Sequence, residues 1–273
     1  MKIFLLLALL AGPAIAAKKP STLIYDLNKD QIIECSECNV PRPIASLTKV
    51  MTALVALEHD SDLSKPVKIP PGHRLPSGIH TRGDLFAAMM VRSDNYSADL
   101  LAADYPGGRK AFIRAMNARA RDLEMYSTKF ADPTGLSSSN IATIGEVMTM
   151  IKVAALQPII SEVSVLPQVE IKNKKYRVVL DNTNKLLLAD FNEIKFSKTG
   201  FTNPAGWNVG MILERHDRKF LVIVLGARDK IHRYNLAKEM IHRHFAEIEY
   251  TITIEQKEIS LWEKTLEKLF GKE

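Results

Sequence analysis

Ile44-Ala45-Ser46-Leu47-Thr48-Lys49-Val50-Met51-Thr52 is the stretch on which this sequence turns. Pro41 and Pro43 precede it. Each lacks an N–H and pushes the residue before it toward extended geometry, so a new element starts after them. Leu47, Val50, Met51, Leu54 and Leu57 then recur at helical spacing, which predicts a buried helix to about Glu58. Ser46 and Lys49 stand one turn apart on one face. A serine hydroxyl is a weak nucleophile at neutral pH and needs a base within hydrogen-bond reach. An amine one turn away meets that need if burial, the positive end of a helix and a second cation lower its pKa. Alone, Ser-x-x-Lys is a loose pattern, which a capping serine and a solvated lysine satisfy equally. Its weight comes from partners downstream.

Two partners follow in order, Ser93-Asp94-Asn95 and Lys198-Thr199-Gly200. The first falls at a break between two helices, where short polar side chains can be aimed into a cleft. Ser138-Ser139-Asn140 also fits Ser-x-Asn but lies in a loop, so Ser93 is preferred. The second closes a strand predicted over Glu193–Gly200. The three motifs together are the set of penicillin-binding proteins and class A β-lactamases.

The surrounding text sharpens this. Pro-Ile-Ala-Ser-Leu-Thr-Lys at 43–49, Ser-Asp-Asn at 93–95, Tyr-Pro-Gly-Gly at 105–108, Asp-Pro-Thr-Gly-Leu-Ser at 132–137 and Lys-Thr-Gly-Phe-Thr at 198–202 carry a resemblance. From about Ser21 to His244 the chain resembles the low-molecular-mass penicillin-binding proteins, the D-alanyl-D-alanine carboxypeptidase and endopeptidase family. Tyr-Pro-Gly-Gly and Pro-Thr-Gly-Leu look most like the endopeptidase branch. The resemblance implies an α+β, β-lactamase/transpeptidase-like fold, with an antiparallel sheet packed between helices. The extra C-terminal β-domain and basic anchor helix of the larger carboxypeptidases are missing from the pattern.

Chemistry and resemblance agree on roles. Ser46 is the candidate nucleophile and Lys49 its base. Ser93 is placed to relay a proton to the leaving nitrogen, and Asn95 to hold Lys49 and a substrate amide. Lys198 and Thr199 suit a carboxylate beside the scissile bond. Gly200, without a Cβ, lets substrate backbone lie along the strand edge. The backbone N–H groups of Ser46 and Phe201 form the expected oxyanion hole, worth roughly 3 to 4 kcal/mol per donor. This chemistry requires no metal or cofactor.

Composition sets the compartment and narrows the partners. The chain has 273 residues, 46% hydrophobic and 25% charged, ordinary for a globular protein with a real core. Lys2, the apolar run Ile3 to Leu10 and Ala14-Ile15-Ala16 form a secretory signal peptide over 1–16. The expectation is therefore an exported, soluble protein of the periplasm. The net charge of +6 suits a polyanionic wall and is too dispersed to argue for nucleic acid. Cys35 and Cys38 are the only cysteines. They leave a structural bridge or two free thiols open, since neither a zinc ligand set nor a thiol-activating helix start accompanies them.

Strands are predicted at Leu23–Leu27, Gln31–Glu34, Trp207–Leu213 and Phe220–Gly226, with helices between the two pairs and a long last helix over Ile231–Phe245. Strands at both ends of the sequence suggest one antiparallel sheet. A catalytic domain over 17–250 is followed by a tail, 251–273, where Ile259, Trp262, Leu266 and Phe270 recur at helical spacing. Its balanced polar face argues for docking on the body, with weak or no membrane contact.

The reading is a serine DD-peptidase of peptidoglycan stem peptides, with β-lactam antibiotics as covalent inhibitors. A DD-endopeptidase is preferred over a DD-carboxypeptidase. A β-lactamase is disfavoured because no Glu-x-x-Leu-Asn segment lies between Ser93 and Lys198 to activate a deacylating water.

Overall fold

The last two strands show why a sheet forms at the centre. Phe220 to Leu225 is an unbroken apolar run, which suits a strand covered on both faces. The computed structural model describes residues 19–173, 175–189, 193–215 and 217–245. The predicted signal peptide over 1–16 and the predicted 251–273 tail lie outside the described residues.

The elements follow in chain order. A hairpin of β1 (Ser21–Asp26) and β2 (Gln31–Ser36) leads through β3 (Arg42–Pro43) to a short 3-10 turn, Ala45–Leu47, and α1 (Thr48–His59). β4 (Pro66–Ile69) pairs with β5 (Gly78–Thr81). Then come α2 (Arg82–Val91), α3 (Asn95–Ala103) and α4 (Gly108–Asp122). β6 (Ile141–Ala142) pairs with β3 and leads into α5 (Ile144–Ala155) and α6 (Pro158–Ser164). The hairpin β7 (Gln168–Lys172) and β8 (Arg177–Asp181) precedes a 3-10 turn at Lys185–Ala189. β9 (Ile194–Thr202), β10 (Gly206–Arg215), β11 (Arg218–Ala227) and α7 (Lys230–Phe245) complete the described chain.

Five strands form the antiparallel sheet in the order β2-β1-β11-β10-β9, so the ends of the sequence meet in its middle at the β1–β11 pair. Side chains alternate between its faces. Leu23, Tyr25, Leu221, Ile223 and Leu225 join the core made with α1, α2 and α5. Ile24, Val222, Val224 and Met211 pack on the other face with Tyr234, Ala237 and Met240 of α7. Each such Leu or Ile contributes about 1.5–3 kcal/mol when removed from water. The sheet thus lies between helices, as the α+β reading requires.

Helix α1 runs through the larger core, and every residue from Thr48 to Ala56 is buried. A helix apolar nearly all round belongs inside. Its neighbours are fixed by sequence-encoded caps. Thr81 and Asp84 form a capping box on α2, as Thr143 and Glu146 do on α5. Asp94 caps α3 by accepting from Ser97 N at 2.7 Å.

The structure extends one expectation, adds an element and settles an alternative. Lys198-Thr199-Gly200 lies inside β9, which continues to Thr202 instead of ending at the glycine. Helix α6, seven residues with proline in its first turn, has no counterpart in the sequence reading. Cys35 and Cys38 are joined in a disulfide, which settles that alternative for the bridge.

Candidate active site

The candidate site lies where the start of α1, the α2–α3 break and the outer edge of β9 meet. Ser46 sits in the 3-10 turn and Lys49 in the first turn of α1. Lys49 Nζ donates to Ser46 Oγ at 3.0 Å and to Asn95 Oδ1 at 2.7 Å. It also donates to the Thr134 carbonyl. Across the groove, Lys198 Nζ donates to Ser93 Oγ at 2.9 Å and to the Thr199 carbonyl at 3.1 Å. Thr199 Oγ1 donates to Thr183 Oγ1 at 2.8 Å.

β9 is an edge strand, and its free edge faces Ser46. A Cβ built on Gly200 would stand 2.9 Å from Ser46 N and 3.1 Å from the Ile44 carbonyl, so only glycine permits this approach. That contact brings the backbone around Phe201 beside the backbone of Ser46. The Phe201 ring is 44% exposed and stacks on Trp207, leaving its backbone as the part available to the groove.

The candidate residues thus fall into two hydrogen-bonded groups, Ser46, Lys49 and Asn95 on one side and Ser93, Lys198 and Thr199 on the other, with Gly200, next to Phe201, packed against Ser46. The competing Ser138-Ser139-Asn140 does different work. Asn140 is fully buried and clamps its own loop, with Oδ1 accepting from Ala131 N at 2.6 Å and Asp132 N at 3.1 Å.

Sequence reasoning missed the support that this loop gives. Asp132 Oδ1 accepts from Thr134 N at 2.7 Å and Gly135 N at 2.6 Å, while Oδ2 accepts from Ser137 N at 2.7 Å. The turn aims the Thr134 carbonyl at Lys49. Thr52 Oγ1 donates to the Pro133 carbonyl at 2.6 Å, which fastens the loop to α1. Gly135 has a φ of +85°, and a Cβ there would fall 1.9 Å from the Ala45 carbonyl. The Asp-Pro-Thr-Gly spelling was the available signal, but the acceptor is a main-chain oxygen, which has no spelling of its own. Thr183 gave no signal.

Two non-glycine residues at the site have left-handed backbones, Ala45 with φ +47° and Ser93 with φ +61°. Such conformations cost about 1–3 kcal/mol each and persist only where the surroundings enforce them.

The electrostatics follow from burial. Lys49 is fully buried, and desolvation draws its pKa from 10.5 down to about 7, with Asp132, Asp94 and Asp99 pulling the other way. Lys198 is also buried, and its pKa is lowered well below the ordinary lysine value by desolvation, then by Lys49 and Arg233. Burial is the largest cause of the shift at Lys49, and the mutual repulsion of the two lysines further disfavours charging both. Burial raises the Asp132 carboxyl, but hydrogen bonds from Thr134, Ser137 and Gly135 outweigh it and hold the group below its ordinary value, as an anion. Among the described residues, no cluster of three or more His, Cys, Asp or Glu side chains is arranged to hold a metal ion.

An amine poised near neutrality on a half-buried serine hydroxyl, opposite a strand that carries a second buried lysine, can perform acyl transfer from a ligand that carries a carboxylate. A family model described as D-alanyl-D-alanine carboxypeptidase matches residues 74–229. The chain belongs to this family of serine DD-peptidases. The match spans the second and third motifs. A D-alanyl-D-alanine endopeptidase of Escherichia coli is 34% identical over 77% of this chain and 72% of its own. One from Haemophilus influenzae is 31% identical over 82% and 80%. A D-alanyl-D-alanine carboxypeptidase of Mycobacterium tuberculosis is 26% identical over 80% and 75%. Among solved structures, a mutant of the Streptomyces K15 DD-transpeptidase covers 86% of this chain and 100% of its own with a TM-score of 0.77 at 22% identity. Penicillin-binding protein D2 of Listeria monocytogenes in its ampicillin-bound form covers 81% and 95% with a TM-score of 0.72 at 24% identity. These likenesses establish the penicillin-binding fold.

Proposed function

We propose that this chain is a periplasmic DD-endopeptidase that cuts D-alanyl cross-links between peptidoglycan stem peptides through an acyl-enzyme on Ser46. The observation that carries the proposal is the 3.0 Å contact between Lys49 Nζ and Ser46 Oγ, with the amine's pKa near 7. Near neutral pH a large share of Lys49 is unprotonated and can accept the hydroxyl proton.

In the first step Ser46 Oγ bonds to the D-alanyl carbonyl carbon and its proton passes to Lys49. The backbone N–H groups of Ser46 and Phe201 hold the developing oxyanion. The C–N bond then breaks, and the leaving nitrogen takes a proton by way of Ser93. Lys198 and Thr199 hold the leaving residue's carboxylate, which favours the cationic form of Lys198. Water hydrolyses the ester and frees Ser46. Asn95 and the Thr134 carbonyl keep the Lys49 amine aimed throughout.

The endopeptidase relatives, at 31% and 34% identity, favour cross-link cleavage over removal of terminal D-alanine. Carboxypeptidase activity is the second reading, favoured by the 26% identical relative and by a leaving carboxylate common to both reactions. β-Lactams should acylate Ser46, as the ampicillin-bound neighbour suggests, and leave slowly for want of a deacylating glutamate. The predicted signal peptide supports a reaction outside the cytoplasm.

The test is digestion of purified cross-linked muropeptide dimers by wild type and Ser46→Ala, with products weighed. Conversion of dimers to monomers by wild type alone supports the proposal. Intact dimers with loss of terminal D-alanine would give the carboxypeptidase reading, and rapid penicillin turnover would give a lactamase.

A further inference from the structure

Against Ser93 and Asn95 lies a cleft of about 540 Å³ whose two arginines the mechanism does not use. It is lined by Ser93, Asn95 and Tyr96 from the α2–α3 break, by Thr183, and by Arg74 and Arg92. Asp94 also borders it, but its Oδ2 is engaged by Ser97 N and Ser97 Oγ, both at 2.7 Å. Among the described residues no carboxylate is paired with Arg74 or Arg92. Exposed Arg114 and Arg121 share this with them, whereas three other surface arginines have such partners. Arg109 meets Asp99, Arg119 meets Glu58, and Arg228 meets Asp229. The loop that carries Arg74 is fastened on both sides. Its neighbour His73 stacks on Tyr96 at 3.5 Å between ring centroids, and Leu75 is buried.

The position of the cleft says what enters it. It touches Ser93, which faces the leaving nitrogen. Through Thr183 it adjoins Thr199, which holds the leaving carboxylate, at 2.8 Å between hydroxyl oxygens. Whatever hangs from the leaving residue therefore points this way. A terminal D-alanine offers a methyl group and needs no cation. The leaving residue of a cross-link offers a second stem peptide with free carboxylates of its own. Arginine is suited to these, because its planar fork binds a carboxylate through two parallel hydrogen bonds.

We propose that Arg74 and Arg92 bind a carboxylate of the acceptor stem peptide, the strand released when a cross-link is cut, and so favour cross-links over terminal D-alanine. This rests on the DD-peptidase reading above.

The test compares wild type with Arg74→Gln/Arg92→Gln on three probes: cross-linked dimers, a monomeric pentapeptide muropeptide, and penicillin. The KM for dimers should rise by about 10- to 100-fold, the loss of one or two charge-assisted hydrogen bonds. Pentapeptide cleavage and penicillin acylation should stay at wild-type rates, and Arg74→Lys/Arg92→Lys should recover part of the dimer KM. A second arm needs no variant. Dimers with amidated stem carboxylates should show the same raised KM with wild-type protein. An unchanged dimer KM in the variant, or indifference of wild type to amidation, overturns the arginine assignment. A wild type that cuts neither dimer nor pentapeptide instead overturns the peptidase reading, so the two failures are distinguishable.

Discussion

The two walls of the groove each bury a lysine, among different neighbours. On the helix wall, Lys49 faces Ser46 Oγ, Asn95 Oδ1 and the Thr134 carbonyl, with Asp132 and Asp94 nearby. On the strand wall, Lys198 faces Ser93 Oγ and the Thr199 carbonyl, and its charged neighbours are the cations Lys49 and Arg233. Burial pushes both toward neutrality. The helix wall supplies anions that partly offset this, whereas the charged groups that act on Lys198 are both cations. The same side chain can thus serve as a proton acceptor in one place and a carboxylate anchor in the other.

The largest effects should come from the helix wall. Ser46→Ala and Lys49→Met should each lower the penicillin acylation rate by about 10⁴-fold or more, read by stopped-flow fluorescence, because they remove nucleophile and base. If Lys49→Met kept a tenth of the wild-type rate, the two walls would not differ as described. Gly200→Ala comes next, at about 10²- to 10³-fold in acylation, since its Cβ would push β9 from Ser46 N and misplace the oxyanion donors. Lys198→Met should act chiefly through KM, by about 10- to 100-fold on substrates with a free leaving carboxylate, and far less on an ester of the same compound. An equal loss on acid and ester would remove Lys198 from carboxylate binding.

The pH dependence sharpens the contrast further. The Lys49 pKa is drawn from 10.5 to about 7, so the neutral base accumulates as pH rises through about 7, and acylation should rise with it. The same shift has a stability sign. Between about 7 and 10.5 the folded chain holds fewer protons at Lys49 than the unfolded chain, so stability from this group grows as pH rises and falls away toward pH 7. The smallest effect on chemistry should come from Asn140→Ala. It costs about 1–3 kcal/mol of stability by breaking the loop clamp, seen as a lower denaturation midpoint, with a smaller loss of acylation than any change above, since the same loop aims the Thr134 carbonyl at Lys49.

That last contrast explains what the sequence could and could not convey. Ser93-Asp94-Asn95 and Ser138-Ser139-Asn140 share a pattern, and only their context, a helix break against a loop, separated them. Side-chain chemistry at short spacing was legible, hence Ser46 with Lys49. The sheet was legible too, because β11 is an unbroken apolar run. Backbone function was not. The Thr134 carbonyl that aims Lys49 and the left-handed Ala45 are properties of the chain's path. The reach of β9 beyond Gly200 was missed because the glycine looked like a stop. In the fold it is the gap through which Ser46 and the strand approach. Helix α6 is too short for periodicity to declare it, although Pro158 in its first turn offered a start signal.

The most direct measurement is the rate of penicillin acylation from about pH 6 to about pH 8, with the adduct mapped by peptide mass. One adduct on the peptide bearing Ser46, formed at a rate that climbs through an apparent pKa of about 7, is the predicted result. An adduct on another residue, or a rate indifferent to pH, would contradict the neutral-amine account.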